Sequence, residues 1–497
     1  MRAGVVAAAL LVVLSVAVLV PNHPGGRDLA EDTGVFFYAA QRLLDGGAPY
    51  RDIWDHKPPG VYFVDAAGLA LGREGGVWLV QLAFLVVAAL LGYGALRREF
   101  GDVPAFVASV AWLLALPRLF LAEQVQTSFV EFHALPLQFG SLLLLSEIRT
   151  LGAARAVVIG ALGGVALLFK PTLVGIWIAI GLLTLVRRRR DAVAPVVAIA
   201  VGALMPVALV LVWAVARGVL NEMVDQALAY NGAYAAFAPL GERAAAVLAG
   251  LRLTLPSGLA LVAVGAWLYA LLARRASPTL IGVALIAFPL EIALSTWGRG
   301  YHYYFIPWLP SMAILSAFAA SEVQRIVPAR MRVVLAVAVL LMCVQPTVLV
   351  TRLAMASGDG QSRAAASYIA ENTRSDDTVL IWGSHAEVLF LADRLSPTRY
   401  VYQYAALATR GYAAPARALE LLRDLERARP VLILDASGNS FVTPPLDLAG
   451  LRAWVSPEPQ YASLPELERV VEFIVANYER AGTEPATRWP VWRLRAP

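Results

Sequence analysis

The stretch Asp52-Ile53-Trp54-Asp55-His56-Lys57 packs two carboxylates, an imidazole and an ammonium into six residues, and Pro58-Pro59 closes it. Such groups can move a proton or hold an anionic oxygen. Of 41 Lys plus Arg residues only Lys57 and Lys170 are lysine, and both precede proline. Where arginine is the default cation, a retained lysine suggests a place for a compact point charge, as a phosphate oxygen requires. Chance retention is the alternative. Upstream stand Glu31 and Asp32, followed by Phe36, Ala40 and Leu43 at helical spacing. Taken alone, Asp32 reads as the N-cap of that helix. The helix reads as lying on or near a membrane surface.

A second cluster is the turn Ser295-Thr296-Trp297-Gly298-Arg299-Gly300-Tyr301-His302-Tyr303-Tyr304-Phe305-Ile306-Pro307. Its aromatics suit an interfacial belt, and Arg299 with His302 could hold an anionic headgroup. Glu131 and His133 fall at the edge of an apolar run, where ionisable groups are costly unless used. Glu123, Gln124, Gln126 and Thr127 lie beside them. Glu222, Asp225, Asn231 and Tyr234 read as solvated loop residues. Ser384-His385-Ala386-Glu387 matches a capping box and lacks the second glycine of a nucleophile elbow. There is no P-loop, dinucleotide glycine fingerprint or zinc-protease motif. Chemistry on an outer face without nucleotides needs a substrate already activated and carried by the membrane.

The elements that must position these groups follow from composition. Hydrophobic residues make up 59% of the 497 and charged ones 15%, against about 25% charged in a soluble domain. Apolar runs of spanning length recur near 3–20, 76–96, 103–121, 130–148, 154–169, 171–186, 192–216, 244–272, 278–296, 301–321 and 332–351, about 11 spans. Arginines fall in every second connection, which places 21–75, 122–129, 217–243 and 297–300 outside. The first run reads as an uncleaved helix rather than a signal peptide, since no small-x-small site follows it. The net charge of +5 comes from arginines that punctuate apolar runs, so no nucleic-acid partner is expected. The single cysteine, Cys343, allows no intrachain disulfide. Residues 352–497 alternate short β-rich runs, Val379–Trp382 and 431–434, with helical stretches near 361–372, 412–428 and 464–478. The expected fold is mostly α: a transmembrane helical bundle (residues 1–351, with its outer loop 21–75) followed by an extracytoplasmic α/β domain (352–497).

Asp32, Phe36, Ala40, Pro49-Tyr50 and Lys57-Pro58-Pro59 together resemble the first outer loop of GT-C membrane glycosyltransferases. The similar branch is the bacterial protein-mannosyltransferase-like enzymes, which include lipid A aminoarabinose transferases. The Lys170-Pro171 step and the turn with Arg299 and His302 fit the same pattern. The family usually has Asp followed by Glu, whereas here Glu31 precedes Asp32. The resemblance implies transfer of a sugar from a polyprenyl-phosphate donor to a lipid, glycan or protein hydroxyl, with inversion, at a bacterial cell membrane. It implies Asp32 as general base, with Lys57, Arg299 and His302 at the donor phosphate. Glu31, Asp55, His56, Glu131, Lys170 and Tyr301 would support the sugar, the acceptor or those cations. No metal site is defined by spacing, but Glu31, Asp32 and Asp55 are the carboxylates a divalent ion would use. Two alternatives stay open: a transporter or flippase of lipid-linked sugars, and an oligosaccharide transferase using a lipid diphosphate. A transporter should show repeated halves and charges near the bilayer midplane; the sequence has neither.

Overall fold

The computed structural model describes residues 2–25, 27–120, 128–145, 148–236, 239–275, 278–296, 300–328, 344, 348, 360–439 and 442–495. Five helices among them are long and apolar enough to cross a membrane: Gly4–Asn22, Gly60–Phe100, Asp102–Phe120, Pro171–Ala216 and His302–Ile326. Ala153–Leu167 and Thr279–Ser295 are shorter apolar helices. The apolar run near 332–351 lies outside the described residues but for 344 and 348.

Where the spans break, the sequence gives the reason. Pro171 restricts the residue before it, so Lys170 is extended (φ −162°, ψ 129°), and a 3-10 turn, Pro171–Val174, precedes the helix Gly175–Arg188. The chain thus breaks at Lys170-Pro171 between the helices Ala153–Leu167 and Gly175–Arg188. Arg189, at positive φ, separates Gly175–Arg188 from Val193–Ala216. The latter packs against Ala153–Leu167 through Gly160, Gly164 and Gly202, where an added Cβ would overlap the facing backbone. Small residues of this kind let membrane helices approach closely. The run expected as one span over 244–272 is instead two helices, Leu240–Thr254 and Leu259–Leu272, meeting at 111°. Gly258, in the left-handed region at φ 71°, makes that corner.

The C-terminal region carries the sheet. Strands β1 (Val379–Trp382) and β2 (Leu432–Asp435) pair in parallel, and the hairpin β3 (Tyr478–Thr483) and β4 (Pro490–Leu494) adds antiparallel through β4. The order is β1-β2-β4-β3. The helices Gln361–Asn372, Pro415–Ala428 and Leu467–Asn477 fall where helical periodicity placed them. The hairpin was not expected. Its β3 strand, Tyr-Glu-Arg-Ala-Gly-Thr, is exposed at every residue after Tyr478 and so lacks the alternation that marks a half-buried strand.

The helix Glu31–Leu44 joins the two regions. Residues Thr33 to Ala40 are buried, so the helix is enclosed rather than lying open on a membrane surface. Apolar groups from the C-terminal region cover it. Phe37 meets Phe390 edge-on at 5.3 Å, and the Ser396 amide donates to the Tyr38 hydroxyl at 2.9 Å. A Cβ on Gly34 would overlap the Glu387 backbone. Gly34→Ala is therefore expected to force the two regions apart and cost about 1–3 kcal/mol, as overpacking does. Thermal unfolding in detergent checks this; a wild-type midpoint would show that the contact yields.

Candidate functional site

Asp32 is the second residue of its helix. Ala30, in extended backbone, occupies the N-cap with no side-chain bond, so the capping reading of Asp32 fails. Two acids in the first turn still suit the positive end of the helix dipole. The Asp32 carboxylate instead accepts a hydrogen bond from the Tyr303 hydroxyl at 3.1 Å. Tyr303 sits on the 3-10 turn His302–Trp308, stacked on Tyr301 at 5.8 Å and edge-on to His302 at 5.2 Å. Tyr301 is 39% exposed. Arg299 lies outside the described residues, as do Glu123, Gln124, Gln126 and Thr127.

The Lys57 loop is held from three sides. Tyr62 and Tyr402 donate to the two Asp55 oxygens at 2.5 and 2.6 Å. Asp55 donates its own amide to Gln226 Oε1 at 3.1 Å, and Gln226 Nε2 donates to the Tyr50 carbonyl at 2.7 Å. Asn231 donates to the His56 carbonyl at 2.8 Å, so it braces the loop rather than facing solvent. Trp54 donates to the Tyr412 hydroxyl at 3.2 Å, and Tyr412 donates to Asp225 at 2.7 Å. Tyr402 and Tyr412 come from the C-terminal region, which therefore helps build the site.

These contacts fix the protons. Lys57 Nζ lies 2.6 Å from His56 Nε2. An ammonium has no lone pair to offer, so Nε2 must be the acceptor and Nδ1 must carry the proton. Nδ1 faces Asp55 Oδ1 at 3.3 Å. Burial and then the Lys57 charge push the His56 imidazole below its ordinary value, which keeps it neutral. For Asp55, burial alone would raise the carboxyl; the His56 hydrogen bond, the Lys57 charge and the Tyr402 hydroxyl outweigh it and hold the group below the usual carboxylate range. The result is a chain, Asp55⁻–His56–Lys57⁺, ending in an ammonium over the Phe36 ring at 5.9 Å.

The second lysine arrives by a matching turn. The Gly60 amide, just after Lys57-Pro58-Pro59, donates to the Leu168 carbonyl at 2.8 Å, just before Lys170-Pro171. A Cβ on Gly60 would lie 2.5 Å from that carbonyl oxygen. The two Lys-Pro steps thus pack on each other. Lys170 pairs with Glu131 at 2.7 Å and stands 3.3 Å from the centre of the Tyr304 ring. The charges of both Asp32 and Lys57 are felt at Lys170. His133 is structural: it stacks on Phe169 at 4.7 Å and faces Gln81 at 2.8 Å.

Glu31 turns the other way. Its carboxylate lies 3.9 Å from His385 Nε2. His385 Nδ1 contacts Glu387 at 2.8 Å. The capping-box reading of Ser384 to Glu387 fails with this: His385 is the N-cap of Ala386–Ala392 and makes no side-chain cap bond. Among the described residues no three His, Cys, Asp or Glu side chains form a metal-holding group, so Glu31, Asp32 and Asp55 do not make one. Asp55 is spent on Tyr62, Tyr402 and His56, and Glu31 on the C-terminal region.

Sequence reasoning missed Tyr303, Tyr402 and Gln226. The aromatic turn held a signal for Tyr303, but its belt role is the commoner one. Tyr303→Phe would remove the only hydrogen bond described on Asp32 and is expected to slow any reaction using that carboxylate about three- to tenfold, the worth of one such bond. Steady-state rates of the purified variant check it, and an unchanged rate would make Tyr303 a packing residue.

The mostly helical bundle with its apolar spans and small C-terminal sheet has the GT-C fold. Solved structures share it. ArnT from Cupriavidus metallidurans, bound to undecaprenyl phosphate, superposes with a TM-score of 0.63 at 14% identity over 97% of each chain. The same protein in its apo state gives 0.60 at 16% identity over 97% of each. The archaeal oligosaccharyltransferase AglB from Archaeoglobus fulgidus, in complex with an inhibitory peptide and a dolichol-phosphate, gives 0.54 at 13% identity over 87% of this chain and 69% of that one. No protein-family model matches the sequence, and no curated protein matches it significantly.

Proposed function

We propose that this chain is a membrane glycosyltransferase. It moves a sugar from a polyprenyl-phosphate carrier to a hydroxyl of a lipid, glycan or protein, with inversion, on the extracytoplasmic face of a bacterial cell membrane. The observation that carries this reading is the convergence of the Asp32 carboxylate and the Lys57 ammonium, whose charges both act at Lys170, with the Lys170–Glu131 pair, drawn from separate segments. Similarity of fold to a protein that binds undecaprenyl phosphate supports it.

In this reading Asp32 accepts the proton of the acceptor hydroxyl as its oxygen bonds to the anomeric carbon. The bond from that carbon to the lipid phosphate breaks with oxocarbenium-like character. The electron pair leaves on the phosphate, whose second negative charge needs a fixed cation. Lys57 supplies it, with His302 and, from the sequence, Arg299 as the further candidate cations. Glu131, Lys170 and Tyr301 are the groups nearest to a sugar or acceptor, and Asp55 and His56 aim Lys57. Residues 352–497 form the extracytoplasmic domain and 1–351 the membrane domain.

The test is transfer in liposomes from a panel of radiolabelled undecaprenyl-phosphate sugars, with a diphosphate-linked oligosaccharide as one member, comparing wild type with Asp32→Asn. Movement of label to acceptor that depends on Asp32 is expected. Lipid-linked sugar crossing the bilayer without transfer would overturn the reading in favour of transport.

A further inference from the structure

We infer that the turn Ser384-His385 is a clamp on the Asp32 helix, with His385 a positioning residue that, braced by Glu387, engages Glu31 and so sets where Asp32 points. The inference rests on the reading of Asp32 given above. The turn follows the C-terminal end of β1, a parallel strand, where α/β sheets present their functional loops. Its backbone is pinned, because the Gly383 amide donates to the Gln403 side chain at 2.8 Å. From it His385 Nε2 stands 3.9 Å from Glu31 Oε1. That N–H is buried and has no hydrogen-bond partner, so its attraction to Glu31 is one of charge.

The opposite ring nitrogen is fixed. Nδ1 contacts Glu387 Oε1 at 2.8 Å, and the same oxygen accepts from Ser362 at 3.0 Å. Trp489 packs against the ring at 4.6 Å. Glu387 has only 1% of its side chain exposed, so the cation between the two acids is held by a buried carboxylate. Glu31 and Asp32 are consecutive on a helix, hence about 100° apart around its axis. Glu31 faces the C-terminal region while Asp32 faces Tyr303. Gripping the first therefore fixes the rotation of the second. Gly34, one turn along, is the point of closest backbone approach to Glu387, so any slip of the helix is felt at both places.

The charges acting most strongly on His385 are those of Glu387 on its own element, Glu31 on the helix and Asp28 just before it, all acids. Burial would lower the imidazole, but Glu387, by charge and by hydrogen bond, then Glu31 and Asp28, raise it from 6.5 to about 9. A raised value means that the grip is complete below the unfolded value of 6.5 and is lost as pH rises through about 9.

The test uses the full chain in liposomes with the most active member of the undecaprenyl-phosphate sugar panel, and hydrogen exchange of the amides of residues 31–44. For His385→Gln the expected kcat is about tenfold lower with KM for the donor unchanged, since a catalytic group is displaced while binding is not. The variant should also lose the decline in rate near pH 9. His385→Lys, which restores a cation, should recover most of the rate. Exchange over 31–44 should quicken several-fold in His385→Gln and in Glu31→Gln, the variant made from the other side of the contact. Unchanged exchange, or an unchanged kcat in His385→Gln, would overturn the clamp. If wild type transfers no member of the panel, the glycosyltransferase reading fails on its own and exchange alone decides the clamp.

Discussion

Replacing Asp32 with asparagine is expected to leave the fold intact and reduce sugar transfer by at least about a hundredfold, within the range that a lost general base costs. The substitution is close to isosteric. It keeps an oxygen that can accept from Tyr303, so the contact at 3.1 Å survives. It does not touch the elements that hold the helix, because residues Thr33 to Ala40 are buried against other partners. What it removes is the basic lone pair that takes the acceptor proton. The acceptor hydroxyl would then attack without transferring its proton, and kcat should fall while KM for the donor lipid changes little. The measurement is single-turnover transfer in liposomes, with a melting curve of the same preparation. A variant that melts like wild type and transfers at a wild-type rate would remove Asp32 from the chemistry and return it to a structural role. Asp32→Glu separates position from basicity. It keeps the carboxylate but moves it by one methylene, and effective attack is sensitive to about 1 Å.

The helical, apolar character of the bundle was legible because hydropathy reads directly along the chain, but among the described residues five helices, not about 11, are long and apolar enough to span. The corner at Gly258 was not, since an apolar run looks the same whether it is straight or bent by 111°. In the site the legible residues were those out of place: Lys57 and Lys170 among arginines, and acids beside proline. Their proline neighbours marked both steps, though not that the Gly60 amide would lock one onto the other. The rest of the site depends on distance along the chain. Tyr402 reaches Asp55 across 347 positions and Tyr303 reaches Asp32 across 271, and neither pairing leaves a local pattern. Ser384 to Glu387 shows the converse failure. A spacing that fits a capping box was used for long-range contacts with Glu31 and Ser362 instead. Asp32 likewise had the right place for a cap and the wrong register by two residues, with Ala30 in the capping position.

Replacing Lys57 with methionine is expected to lower kcat/KM for transfer by about a hundred- to a thousandfold, the cost of losing one preorganised group at a developing charge. Two properties of the surroundings make the ammonium more than a surface cation. Asp55 beneath it is buried and accepts from two tyrosines, so the chain Asp55⁻–His56–Lys57⁺ has a rigid foot. His56 keeps a bare nitrogen toward Lys57 at 2.6 Å, which takes up one ammonium proton and leaves two for a ligand. Because a donor phosphate diester is already an anion, KM should rise as well as kcat fall, unlike at Asp32. Lys57→Arg should recover little. A planar guanidinium fills more space beside the Phe36 ring and offers a fork where His56 accepts a single bond. His56→Ala discriminates aim from charge. It keeps the ammonium and removes its guide, so its defect should be smaller than that of Lys57→Met, and the two defects should not add, because both act through one contact. Additive losses in the double variant would mean that His56 meets the substrate by itself. A Lys57→Met protein with wild-type kcat/KM would move the phosphate site to another cation of the rim.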